Sequence, residues 1–182
     1  MANISGKHAV MECLMDQEVK YIFGNPGTVE LPIMDAMQDY PNIQYILGLQ
    51  ETIPMAMANG YARASGKVGV VQGHISVGVG NTITMLYDSF SGGTNMVVFA
   101  GQRDSRMLIQ EPSLYSDMVQ MTSQFTKWST EICHTSNIPM GLRRAFHVAG
   151  GHPTGPVFVS LTADALNGSA DMQIDMGNHP NN

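Results

Sequence analysis

Apolar residues along this chain fall into short runs, and most of those runs are separated by stretches with helical spacing. Ala9, Val10, Cys13 and Leu14 recur every three to four residues, as on the buried stripe of a helix, with Ser5 in position to cap it. The stretches 19–23, 43–47, 68–71, 96–100, 126–132 and 156–161 read as strands, the first of them short and buried and 96–100 nearly continuously apolar. Between them the pattern predicts helices over 28–38 with Thr28 as N-cap, 51–64, 81–90, about 114–121 and 137–148. Gly24-Asn25-Pro26-Gly27 stops the first strand, while Pro54 and Pro139 fall in first helical turns, where proline is tolerated.

Strands this apolar, alternating with helices, imply a mostly parallel sheet covered on both faces, a doubly wound α/β domain. The expected domain spans 1–166. Residues 167–182, with Gly168, Gly177, Pro180 and several asparagines, have little to bury and read as a linker or disordered tail. In such folds ligands gather beyond the carboxyl ends of the strands, and the loops 24–28, 48–51 and 73–80 all fall there.

Composition narrows the classes. The 182 residues, 43% hydrophobic and 13% charged, suit one well-filled core. A net charge of −6, with no cationic cluster larger than Arg143-Arg144, argues against nucleic acid as a partner. Two cysteines, Cys13 and Cys133, are too few for a disulfide scaffold, and no apolar run approaches the ~18 residues of a membrane span. Neither a secretion signal nor a membrane anchor is recognisable, so a cytoplasmic location is expected. The fifteen methionines fill the core or mark a surface that packs on another chain.

Between Asp39 and Asp88 the only acid is Glu51, which enters an apolar, small-residue helix directly from a hydrophobic strand. Desolvation there favours the protonated carboxyl. The plainer reading is an acid placed at a helix N-terminus, worth about 0.3–1 kcal/mol to the helix dipole. His74 is by default a satisfied histidine at a strand end, and Thr28 an ordinary cap. Other chemistries lack their motifs. Gly60 to Lys67 has one residue too many for a phosphate-cradling loop, Cys133-His134 has no metal-ligand spacing to another Cys or His, and no Gly-x-Ser-x-Gly elbow exists.

The ordered series Gly24-Asn25-Pro26-Gly27-Thr28-Val29-Glu30-Leu31-Pro32, Gly48-Leu49-Gln50-Glu51, Met57 to Gly66, His74 with Gly78-Val79-Gly80-Asn81, Ala100-Gly101-Gln102, Gln110-Glu111-Pro112, Thr126-Lys127-Trp128 and Gly155 to Leu161 resembles the N-terminal pyrimidine-binding domain of thiamine-diphosphate enzymes. The pattern is most similar to benzoylformate decarboxylases and acetolactate synthases, over roughly residues 3–166. The resemblance implies thiamine diphosphate as cofactor and a small 2-oxo acid as substrate. It implies that Glu51 exchanges a proton with N1′ of the aminopyrimidine, and that Asn25, Pro26, Gly27, His74 and Asn81 approach the cofactor. Thr28, where the decarboxylases carry serine, and Gln110 would face the substrate, and His74 would carry a proton.

The family holds its diphosphate through magnesium in a separate domain marked by Gly-Asp-Gly, and this sequence contains no Gly-Asp-Gly. No metal ligand is therefore expected here. By the same resemblance the chain alone is expected to be inactive, to need a diphosphate-binding domain or subunit, and to form a homo-oligomer. The competing expectation is a non-catalytic module that keeps the fold for binding or self-association.

Overall fold

The apolar runs pair into one six-stranded sheet, parallel at every neighbouring pair, in the computed structural model, which describes residues 2–175. In chain order the elements are β1 (Ala2–Ser5), α1 (Gly6–Asp16), β2 (Tyr21–Gly24), α2 (Leu31–Ala36), β3 (Gln44–Leu47), α3 (Thr52–Ser65), β4 (Gly69–Gly73), α4 (Val77–Ser91), β5 (Met96–Gln102), α5 (Met118–Thr122), β6 (Trp128–Ile132), α6 (Ile138–Gly150), β7 (Pro156–Thr162), α7 (Ala163–Asn167) and β8 (Ser169–Met172). The sheet order is β3-β2-β4-β5-β7-β6. Three of its four inner strands, β4, β5 and β7, are buried at every residue, which explains their near-continuous hydrophobicity.

Successive strand residues point to opposite faces, so Ile22 and Phe23, Val70 and Val71, and Val97 and Val98 enter different cores. One core joins these strands to α1, α2 and α6 through Leu14, Ile33 and Phe146. The other joins them to α3, α4 and α5 through Met55, Leu86 and Met118. Each fully buried side chain of this size contributes about 1.5–3 kcal/mol. The helices divide between the faces as right-handed crossovers require: the chain moves one way along the sheet over the first face and back over the second.

That winding fixes where a ligand can sit. β2 lies between β3 and β4, and the chain leaves β2 over the first face but leaves β4 over the second. Their loops part above the sheet and open a crevice at its carboxyl edge.

Several expectations need correction. Thr28 is exposed and does not cap a helix. The helix begins at Leu31 after a turn closed by Glu30 N–H donating to Gly27 carbonyl oxygen, and its N-cap position is Glu30. The expected helix 81–90 starts earlier, at Val77, because Gly78 and Gly80 continue the helix. Residues 167–175 are not a simple tail: Ser169–Met172 pairs antiparallel with Ala2–Ser5, and Met172, 6% exposed, packs into the first core. The rest of the expected tail lies outside the described residues.

Cys13 and Cys133 are both free, and burial, with Asp16 and Glu12 adding to it, pushes the Cys13 thiol up to about 12. No helix of the described residues is long and apolar enough to cross a membrane. If the β1–β8 ribbon belongs to the core, Met172→Ala lowers the unfolding free energy by about 2 kcal/mol, measured by urea denaturation. A loss under about 0.5 kcal/mol, the size of an ordinary surface substitution, would place the ribbon outside the cooperative unit.

Candidate active site at the carboxyl edge of the sheet

Three loops meet above β2, β3 and β4, and two carboxyl groups organise them. Glu51 occupies the N-cap position of α3, yet its side chain makes no capping hydrogen bond to its own helix. It stands at the helix terminus, as the plainer reading has it, but does not cap the helix. The carboxyl turns instead between two neighbours: Asn25 Nδ2, from the loop after β2, donates to Oε1 at 3.1 Å, and Asn81 Nδ2, from α4, donates to Oε2 at 2.8 Å. Glu51 is 6% exposed and forms no ion pair among the described residues. Alone in sequence, it has two amide partners in space.

The approach of α4 depends on a missing side chain. A Cβ on Gly78 would stand 2.7 Å from His74 Cβ and 3.0 Å from Glu51 Oε1. Only glycine lets the first turn of α4 lie against both residues. Thr52 Oγ1 donating to Asn81 carbonyl oxygen at 2.7 Å ties α3 to the same turn.

The second acid, Glu30, is fully buried. Its Oε1 accepts Ile75 N–H at 3.1 Å and Gly101 N–H at 2.9 Å, and its Oε2 accepts Gly27 N–H at 3.0 Å and lies 3.0 Å from His74 Nδ1. Burying a carboxyl is costly unless its oxygens are satisfied, and here three backbone N–H groups donate to them while the imidazole takes the fourth contact. Two glycines make room for it. A Cβ on Gly101 would come within 2.8 Å of Glu30 Oε1, and one on Gly27 within 1.8 Å of His74 Nδ1.

The sequence does not single out Glu30, because its burial arises from contacts up to 71 residues away. The local sign was an acid three residues after a loop glycine at the start of a helix. Beneath both acids, Tyr45 donates its hydroxyl to Gln72 Oε1 at 2.8 Å. Burial, with the charges of Glu30 and Glu51 adding to it, holds that phenol above its ordinary value.

The sequence candidates thus divide. Asn25, Gly27, Glu51, His74 and Asn81 come together, with Pro26 in the same loop. Thr28 lines a separate depression of about 350 Å³ with Val29, Pro32, Arg103 and Met107. Gln110 is exposed at the end of a 3₁₀ turn, with no hydrogen bond to the cluster among the described residues. Among those residues, no group of three His, Cys, Asp or Glu side chains could hold a metal ion.

A buried carboxyl framed by amide donors and glycine-lined backbone thus lies at the switch point of a doubly wound sheet, the edge where such folds place their ligands. Comparison with known proteins gives the class: residues 4–124 match the family described as thiamine pyrophosphate enzyme, N-terminal TPP binding domain, and the chain belongs to that family. It is 34% identical over 167 residues to the acetolactate synthase large subunit of Haemophilus influenzae, covering 92% of this chain and 29% of that protein. The acetolactate synthase isozyme 3 large subunit of Escherichia coli is 35% identical over the same length, again covering 92% and 29%.

Among solved structures, benzoylformate decarboxylase from Polynucleobacter necessarius superposes with a TM-score of 0.87 at 30% identity, covering 96% of this chain and 32% of that one. The thiamine diphosphate-dependent 4-hydroxybenzoylformate decarboxylase of Rhodococcus jostii gives a TM-score of 0.85 at 32% identity, covering 90% and 31%. The chain spans about three tenths of the length of these relatives.

The two helical glycines of α4 provide a test with an internal control. Nothing lies within 4 Å of a Cβ at Gly80, so Gly80→Ala raises stability by up to about 1 kcal/mol, the usual helical gain. Gly78→Ala is expected to lower stability by about 1–3 kcal/mol despite the same propensity gain, because the methyl meets His74 and Glu51. Urea unfolding of both variants reads the difference, and equal shifts would contradict the close approach.

Proposed function

We propose that this chain is the pyrimidine-binding part of a thiamine-diphosphate-dependent enzyme that decarboxylates or carboligates 2-oxo acids. The observation that carries this reading is the Glu51 carboxyl, buried, turned away from its own helix and framed by Asn25 and Asn81 at the switch point. Each of its oxygens takes one amide hydrogen and keeps a lone pair, so the group can still meet a ligand nitrogen. The names of its relatives support the same reading, as acetolactate synthases and benzoylformate decarboxylases act on 2-oxo acids.

When bound, thiamine diphosphate supplies a carbon nucleophile for the substrate carbonyl. The residues of this chain do the following. Glu51 holds and exchanges a proton at N1′ of the aminopyrimidine, a general acid–base role worth about 10²–10⁴-fold in rate. Asn25 and Asn81 aim its carboxyl, and the Asn25-Pro26-Gly27 backbone borders the ring. His74 carries a proton to or from the reacting centre, while Thr28 and Gln110, which lie outside the Glu51 cluster, face the substrate only on the strength of the family resemblance. Magnesium and the diphosphate belong to a domain or partner chain outside this sequence, so the chain alone is inactive. It works in the cytoplasm.

An exposed apolar strip beside Glu51, comprising Leu47, Leu49, Ile53, Met57 and Val77, suits packing against that partner and a homo-oligomeric assembly. The test of the assignment is turnover. With a diphosphate-binding chain carrying Gly-Asp-Gly supplied in trans, together with magnesium and thiamine diphosphate, Glu51→Gln is expected to reduce 2-oxo acid consumption at least ~100-fold. Undiminished turnover in that variant would overturn the role given to Glu51.

A further inference from the structure

The hydrogen bonds around Glu30 constrain a proton that the role proposed for His74 leaves unassigned. Three of the four contacts reaching this carboxyl come from backbone N–H groups of Gly27, Ile75 and Gly101, whose hydrogens cannot move elsewhere. As a carboxylate, Glu30 has no hydrogen to give, so the remaining partner, His74 Nδ1 at 3.0 Å from Oε2, satisfies the contact as a donor. We propose that Glu30 is a positioning residue that fixes His74 in the tautomer with its hydrogen on Nδ1, leaving Nε2 as the proton-accepting atom of the ring.

The surroundings hold the ring to that choice. The α-carbon of Gly27 packs so closely on the imidazole that a Cβ there would stand 1.8 Å from Nδ1 and 2.0 Å from Cε1. Gly78 presses on the His74 Cβ from α4, and Val79 N–H donates to the His74 carbonyl oxygen at 2.9 Å. The His74 side chain keeps 19% of its surface exposed while Glu30 keeps none. No hydrogen bond among the described residues engages Nε2.

A free neutral histidine favours the opposite tautomer, with hydrogen on Nε2, so Glu30 has to impose this one. The general logic is that the hydrogen bond made by one ring nitrogen sets the state of the other. Carried into the proposed function, on which this consequence rests, His74 enters each cycle as an acceptor at Nε2. Glu30 itself, fully buried behind the ring, touches neither substrate nor cofactor.

The ring state can be read directly on the isolated chain, without cofactor or partner. Long-range ¹H–¹⁵N correlation spectra of ¹⁵N-labelled protein at pH about 8, above the ordinary imidazole value of about 6.5, distinguish the tautomers by which nitrogen is protonated. The His74 signals are assigned by their loss in His74→Ala. The expected wild-type pattern has Nδ1 protonated and Nε2 bare.

In Glu30→Gln the amide oxygen stays with the two N–H groups of Ile75 and Gly101, the amide NH₂ faces His74, and the pattern is expected to reverse. A wild-type His74 protonated on Nε2 overturns the inference, as does an unchanged pattern in folded Glu30→Gln. Should that variant not fold, the wild-type spectrum alone decides. Failure here leaves the Glu51 assignment intact, and failure of the Glu51 turnover test leaves the tautomer assignment intact.

Discussion

A carboxyl group with no solvent exposure has to find all its hydrogen-bond donors inside the protein, and Glu30 finds them at the ends of three different strands. Removing one partner from such a group costs about 1–3 kcal/mol or more, so the loops after β2 and β4 and the end of β5 are not independent. Their relative positions are set by a single side chain. Gly27 and Gly101 follow from the same constraint, since a methyl group at either position would occupy the space of the carboxyl or of the imidazole it holds.

The two acids of the site divide the work by how they are satisfied. Glu30 spends its acceptors on backbone N–H groups and one ring nitrogen, which makes it part of the framework. Glu51 is held by two side-chain amides and keeps capacity at both oxygens, which makes it available to a ligand. Both stand over the Tyr45–Gln72 pair, where a neutral phenol adds no competing charge. The winding of the sheet brings them together: β2 and β4 send their loops apart at this edge, and the first turn of α4 closes the gap because position 78 has no side chain.

Much of the sheet was legible because β4, β5 and β7 are buried on both faces and so read as nearly unbroken apolar runs. β1 and β8 were not, because each is a short, half-exposed strand whose partner lies at the far end of the chain. The start of α4 was missed because Gly78 and Gly80 read as a loop, whereas Gly78 serves close packing within a helix. Thr28 looked like a cap by residue type, while the turn it sits in is closed by Glu30. The cluster of Asn25, Gly27, Glu51, His74 and Asn81 was accessible through motif order. Glu30 lay inside one of those motifs and went unassigned, since nothing local shows that an acid at a helix start will be fully buried.

Amide hydrogen exchange measures the Glu30 clamp most directly, and Gly27 is the informative position, because its N–H sits in a loop and its hydrogen bond is to the Glu30 carboxyl. The expected result is strong protection of the Gly27, Ile75 and Gly101 amides, lost together in Glu30→Ala. A Gly27 amide exchanging at the rate of an unstructured loop in the wild-type chain would contradict the clamp.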